Sequence, residues 1–207
     1  MKIVADDKIP YIRGVFEPYA DITYLPGKAI TGMVRPETDE DLRRIMLIER
    51  HGRGVSLQAE GADGDGPAGL GLVGKHIGRG WVRGFTITGG AIASTIGHDS
   101  HNVCGVGDSA ADMMAAVEAV GQGGHVLVRN GKVVARIPLA LGGLMSEGTA
   151  EDVAAQHDDF MVKARAMGIE PPLDPIMGII FLPLPVIPTL RIRPEGMFDV
   201  TTFTYAD

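Results

Sequence analysis

The segment Ser94-Thr95-Ile96-Gly97-His98-Asp99-Ser100-His101-Asn102 is the densest polar cluster in the chain. It lies between two small apolar runs, Gly90-Ala91-Ile92-Ala93 and Val103-Cys104-Gly105. That is the pattern of a loop joining buried strands and meeting a polar ligand. His98 and His101 add two groups that titrate near neutrality, so the loop could orient a substrate or relay a proton. Asp, Ser and Asn also bond their own backbone, and a self-satisfied turn built from them needs no ligand.

Three other chemistries can be weighed from residue types and spacing. His98 and His101, with Asp99 as an oxygen donor, could begin a metal site, but a catalytic zinc needs three protein ligands and an open position, and no second His-rich motif completes the set. Gly69-Leu70-Gly71-Leu72-Val73-Gly74 matches the G-x-G-x-x-G string of dinucleotide sites, yet a glycine-rich stretch precedes it where a strand is required, and two more glycines follow at Gly78 and Gly80. Cys104 lies close to the polar loop, where a nucleophilic thiolate would need a base beside it; burial as a small apolar residue is the simpler reading. His51, His76, His125 and His157 are isolated and read as surface or packing histidines.

The elements that must carry this loop belong to a chain of 207 residues, with apolar types at 45% and charged types at 22%. This length buries a proper core without staples, and a single Cys excludes a disulfide scaffold. The net charge of -7, with no sorting of the 19 basic residues, argues against nucleic acid as a partner. The most apolar stretch, Gly178 to Leu190, is too short for a membrane span and holds Pro183, Pro185 and Pro188. The N-terminus turns acidic at Asp6-Asp7 and shows no export signal, so a cytoplasmic setting is expected. The 29 glycines imply many tight turns or close backbone approaches.

Along the chain, Lys2 to Ala5 reads as a strand, Pro10 opens a helical turn toward Pro18, and Ile22 to Leu25 reads as a second strand before Pro26-Gly27: a β-α-β opening. Thr38 with Asp39, Glu40 and Asp41 resembles a helix start, and the apolar run Ile45 to Ile48 leans to strand in its second half. Gly61 to Gly71 is expected to be an exposed loop or insertion. Ser109 and Asp112 resemble a capping box opening a helix with Met113, Met114, Val117 and Val120 as its stripe, stopped by Gly121 to Gly124. His125 to Arg129 and Lys132 to Ile137 flank Asn130-Gly131, a strong hairpin signal. Thr149 begins another helix, with Val153, Phe160, Ala164 and Met167 on one face and Gly168 as its stop.

Gly80-Trp-Val-Arg-Gly-Phe85, Gly90-Ala-Ile-Ala-Ser-Thr95 and His98-Asp-Ser-His-Asn102 together resemble the C-terminal domain of bacterial and archaeal adenine deaminases. Asp112-Met113, Gly123-Gly124, Leu141-Gly-Gly-Leu-Met-Ser146 and Leu184-Pro-Val-Ile-Pro188 continue the likeness in order, with Ile48-Glu-Arg-His-Gly52 upstream, so that it runs from about Gly32 to Val200. The resemblance implies hydrolysis of adenine to hypoxanthine and ammonia. In that family the chemistry belongs to a metal-dependent amidohydrolase barrel, whose manganese or iron activates water. A barrel needs about 250 residues by itself, and its metal ligands have no counterpart here. On this reading the chain carries no cofactor; His98, Asp99, Ser100 and His101, supported by Ser94 and Asn102, would face the barrel mouth and contact the purine.

Residues Met1 to Gly27 are similar instead to the opening of erythronate-4-phosphate dehydrogenase, an NAD enzyme, without that family's cofactor or catalytic motifs. The expectation is therefore a segment 1–31 joined to a domain 32–207. The domain would be α+β, a mainly antiparallel sheet with packed helices, preceded by the β-α-β segment. A barrel domain or subunit, adenine and a second copy of the chain are the partners considered; no membrane is. A non-catalytic binding or assembly module, an artificial chimera and an NAD-dependent dehydrogenase remain as alternatives.

Overall fold

The computed structural model describes residues 11–17, 19–23, 42–51, 58–59, 72–73, 77–98, 100–187 and 190–205. Strands β1 (Tyr11–Glu17), β2 (Tyr19–Thr23), β3 (Leu42–Ile48), β6 (Ile77–Arg83), β7 (Gly90–Ser94), β8 (Val103–Gly107), β9 (Gly124–Arg129) and β10 (Lys132–Pro138) form one sheet in the order β10-β9-β7-β8-β3-β6-β1-β2. Every neighbouring pair is antiparallel except β1 with β6. β4 (Gln58–Ala59) and β5 (Leu72–Val73) pair with each other, and β11 (Leu190–Arg193), β12 (Gly196–Asp199) and β13 (Thr204–Tyr205) make a small antiparallel sheet.

Among the described residues three helices complete the α+β architecture: α1 (Ala110–Val120), α2 (Ala150–Ala166) and α3 (Pro175–Phe181). Each strand alternates its side chains between the two faces, and this sorts the core into two clusters. On one face Met46, Ala91, Ala93, Val126 and Val128 meet Met113, Ala116, Val117 and Val120 of α1. On the other, Ile45, Leu47, Ile92, Leu127 and Ile137 meet Phe160 and Ala164 of α2, Ile176 and Ile179 of α3, and Leu190, Ile192 and Met197 of the small sheet. A glycine sets the approach of α1: a Cβ at Gly107 would lie 2.6 Å from Met113 Cγ and 2.7 Å from Ala91 Cβ.

Local chemistry accounts for the element ends. Ser109 Oγ accepts from Asp112 N at 3.1 Å, and Gly121, at φ 53°, ends α1. Thr149 and Asp152 form a reciprocal capping box for α2, each backbone N–H bonding the other's side chain at 3.1 Å, and Gly168 at φ 91° follows its end. Asn130 (φ 50°) and Gly131 (φ 72°) make the left-handed pair that a two-residue hairpin demands. Gly131 N also donates to Asp112 Oδ1 at 2.6 Å, tying the hairpin tip to α1.

The structure corrects the β-α-β opening. Tyr11–Glu17, expected to be a helical turn, is β1, and it pairs antiparallel with Tyr19–Thr23 as a hairpin on the sheet edge. Tyr11, Ile12, Val15, Phe16 and Tyr19 are β-branched or aromatic, and strand pairing draws on that preference over the proline signal at Pro10. The expected strand over 2–5, the helix start at 38–41 and the loop 61–71 lie outside the described residues. All seven residues of Leu42–Ile48, not only the second half of the apolar run, are strand.

Candidate functional site

The polar segment joins β7 to β8 at one end of the large sheet. The same end receives the chain leaving β3 at Glu49-Arg50-His51, the start of β9 and the loop after β10. Ser94 and Thr95 are buried at the root of the loop. Ser94 Oγ accepts from Ile96 N at 3.0 Å and donates to Ile96 O at 3.1 Å, a closed local turn. Thr95 Oγ1 accepts from Gly124 N at 2.8 Å and donates to Gly143 O at 2.6 Å, tying three segments together.

Arg50 is the second tie. Its Nε donates to His101 O at 2.5 Å and one terminal nitrogen donates to Gly142 O at 2.7 Å, so one guanidinium joins the polar loop to the Leu141–Met145 turn. Burial holds that guanidinium below its ordinary pKa. Arg50 N donates to Asn102 Oδ1 at 3.4 Å, and Asn102 is buried. His51 Nε2 lies 2.6 Å from Ser100 O, and His51 N donates to the buried Glu49 carboxylate at 2.6 Å.

The two loop histidines face different surroundings. His98 is exposed and stacks on Phe181 of α3, with ring centroids 4.9 Å apart and planes 25° from parallel, while its N–H donates to Ile180 O at 3.1 Å. His101 sits at φ 46°, in the left-handed region, and its Nδ1 accepts from Gly97 N at 3.5 Å. Ser100 Oγ is buried with no hydrogen-bond partner among the described residues. Asp99 lies outside the described residues.

The structure therefore brings Ser94, His98, Ser100, His101 and Asn102 together in one loop, and adds Arg50, His51, Thr95 and Phe181, which spacing alone does not reveal. His51 had read as isolated; it is a direct partner of the loop backbone. The signal for it was present in the Glu-Arg-His run directly after an apolar strand. His125 is, as read, a packing histidine: it is buried edge-on to Phe160, 6.4 Å between centroids, and burial pushes its pKa down to about 4. Cys104 is fully buried, and burial pushes its thiol far above the ordinary range. Among the described residues no group of three His, Cys, Asp or Glu could hold a metal ion. Leu72 and Val73 of the glycine string are strand, and the next described residues, from Ile77, are strand β6 rather than the helix that receives a pyrophosphate.

Comparison with known proteins agrees with the residue pattern. The family described as adenine deaminase C-terminal domain matches residues 73–204. An adenine deaminase of Gluconobacter oxydans is 38% identical over 197 residues, covering 87% of this chain and 31% of the relative. One from Halalkalibacterium halodurans is 31% identical over 220 aligned positions, covering 100% of this chain and 34% of its own length. A third, from Nitratidesulfovibrio vulgaris, is 37% identical over 181 residues, 79% of this chain and 32% of the relative. The chain thus spans about a third of the length of the curated relatives it matches. By sequence match and by the order of its motifs along one α+β sheet, this chain belongs to the adenine deaminase C-terminal domain family.

Proposed function

We propose that this chain is the accessory part of an adenine-deaminating hydrolase and that its 94–102 loop closes over a purine held in a metal-dependent barrel. The family match supports the reaction class. The observation that carries the role is the loop itself: a buried Ser100 hydroxyl with no partner among the described residues, beside a stacked His98–Phe181 pair and an oriented His101, all fixed from behind by Arg50 and Thr95. A purine offers ring nitrogens to such donors and a face to such rings. The bond rearrangement belongs to the barrel, where manganese or iron would supply the activated water; this chain's residues would bind, orient and exclude solvent. A cytoplasmic setting is part of the same proposal. No helix among the described residues is long and apolar enough to cross a membrane.

The test is ammonia release from adenine by the purified chain with added manganese or iron. No turnover is expected, and robust turnover would show that this chain alone holds the chemistry. A calorimetric titration with NAD is expected to be flat; micromolar binding would favour the dehydrogenase reading instead.

A further inference from the structure

The Leu141–Met145 turn after β10 is closed on itself. Leu141 N donates to Met145 O at 3.1 Å, and Leu144 N and Met145 N donate to Leu141 O at 3.1 and 3.2 Å. Its tip is a pair of left-handed glycines, Gly142 at φ 67° and Gly143 at φ 78°. Two successive carbonyls of this tip reach opposite ends of the polar loop. Gly143 O accepts from Thr95 Oγ1 at 2.6 Å, at the loop's root, and Gly142 O accepts from Arg50 Nη2 at 2.7 Å. Arg50 Nε in turn donates to His101 O at 2.5 Å, at the loop's far end.

His101 is the residue that needs such a hold. Its φ of 46° is uncommon for a residue with a Cβ and persists only where the surroundings over-determine it. Three bonds do so: His101 N donates to Gly97 O at 3.1 Å, Nδ1 accepts from Gly97 N at 3.5 Å, and Arg50 takes the carbonyl. The first two lie inside the loop and move with it. The Arg50 bond refers His101 to another part of the fold, and it is charge-assisted, hence the strongest of the three.

Gly143 decides whether that bond can form. It is buried, and its Cα packs so closely on Gly123 that a Cβ there would come within 2.2 Å of it. A Cβ on Gly143 itself would lie 2.8 and 2.9 Å from Arg50 Nη2 and Nη1 and 3.0 Å from Cζ. The guanidinium ends a flexible stem, so a side chain at position 143 would push it aside rather than break the sheet. At Gly142 the same addition meets nothing within 4 Å.

We propose that the Leu141–Met145 turn is a positioning element of the candidate site, with Arg50 and Gly143 as the positioning residues that set where the His101 imidazole points. The role of His101 rests on the purine-facing reading of the 94–102 loop. The two glycines of the turn then have separate tasks: both supply a left-handed backbone, and only the second must also leave room for the guanidinium.

The test is NMR of the full chain, comparing Gly143→Ala with Gly142→Ala. Both place alanine at a similar positive φ, so backbone strain is common to the two, and only Gly143→Ala meets Arg50. In Gly143→Ala the Arg50 Nε–H should exchange with water about tenfold faster or more, as for a lost charge-assisted bond. The His101 ring and Gly97 amide signals should shift with it. In Gly142→Ala all three should stay as in the parent. If Gly143→Ala does not fold, Arg50→Gln, which leaves the turn untouched, should move the same His101 and Gly97 signals. Arg50 exchange unchanged in Gly143→Ala, His101 signals unmoved once the Arg50 bond is lost, or equal shifts in Gly142→Ala would each overturn the proposal. These signals are read without adenine or a barrel, so they judge the positioning role by itself; failure of the deaminase reading shows instead as absent ammonia release when the chain is mixed with a barrel piece.

Discussion

At the scale of single residues, Arg50 and His125 make the sharpest claims. Arg50 donates to two carbonyls in segments 41 residues apart in sequence, those of His101 and Gly142. Arg50→Met keeps the stem and removes both bonds, and should cost about 2–4 kcal/mol in urea unfolding. It should also broaden the NMR signals of His98 and His101 as the loop loosens. His125 carries a pH dependence. Its folded pKa is depressed to about 4 from 6.5 because the buried ring resists charging, with His157 nearby adding to the effect and Asp174 opposing it. The unfolded chain thus binds the extra proton first. The stability tied to neutral His125 is complete above pH ~6.5 and falls away as pH drops toward ~4, by roughly 3 kcal/mol in all. Urea midpoints measured across that window should fall, and His125→Phe should flatten this part of the profile. The polar loop was legible in sequence because its residue types cluster within one turn. Arg50, His51 and Phe181 were not, since 49 or more positions separate each of them from its partner in the loop, and only folding brings them to it.

At the scale of elements, glycine positions separate two physical causes. Gly107→Ala would drive a Cβ to 2.6 Å from Met113 Cγ and 3.1 Å from Gly90 O, and should destabilise by about 1–3 kcal/mol through overpacking. Gly131→Ala meets nothing within 4 Å and suffers only from its φ of 72°, so its cost should be about 1–2 kcal/mol. Urea unfolding of both variants, together with Met113→Ala/Gly107→Ala, checks the distinction: the double change should recover stability relative to the additive sum only at Gly107. Gly105 and Gly107, which follow the polar loop in sequence, face Met46 and Met113. Caps and turns were readable: Ser109, Thr149 and Asn130-Gly131 act through bonds to near neighbours. The Tyr11–Glu17 strand was not, because its pairing with β6 joins residues some seventy positions apart. Helix α3 also escaped notice, although Asp174 caps it at 2.9 Å to Ile176 N and Pro175 opens it.

For the whole molecule, the question is what covers the loop end of the sheet. Leu141 (46% exposed), Leu144 (38%) and Met145 (61%) present apolar surface on the turn that Arg50 ties to the polar loop. Such a patch beside donors suits contact with a further domain. Met145→Glu should leave the unfolding midpoint within ~0.5 kcal/mol of the parent, yet weaken association with that domain. The β1–β2 hairpin is paired to β6 of the same sheet, and the Halalkalibacterium halodurans relative aligns with 100% of this chain. The most direct measurement mixes this chain with the remaining two thirds of the Gluconobacter oxydans relative, loaded with manganese, and follows ammonia released from adenine. Little or no activity is expected from either piece alone, activity from the mixture, and loss of that gain in His98→Ala and His101→Ala. Full activity of the larger piece with no gain on mixing, or robust turnover by this chain alone, would contradict it.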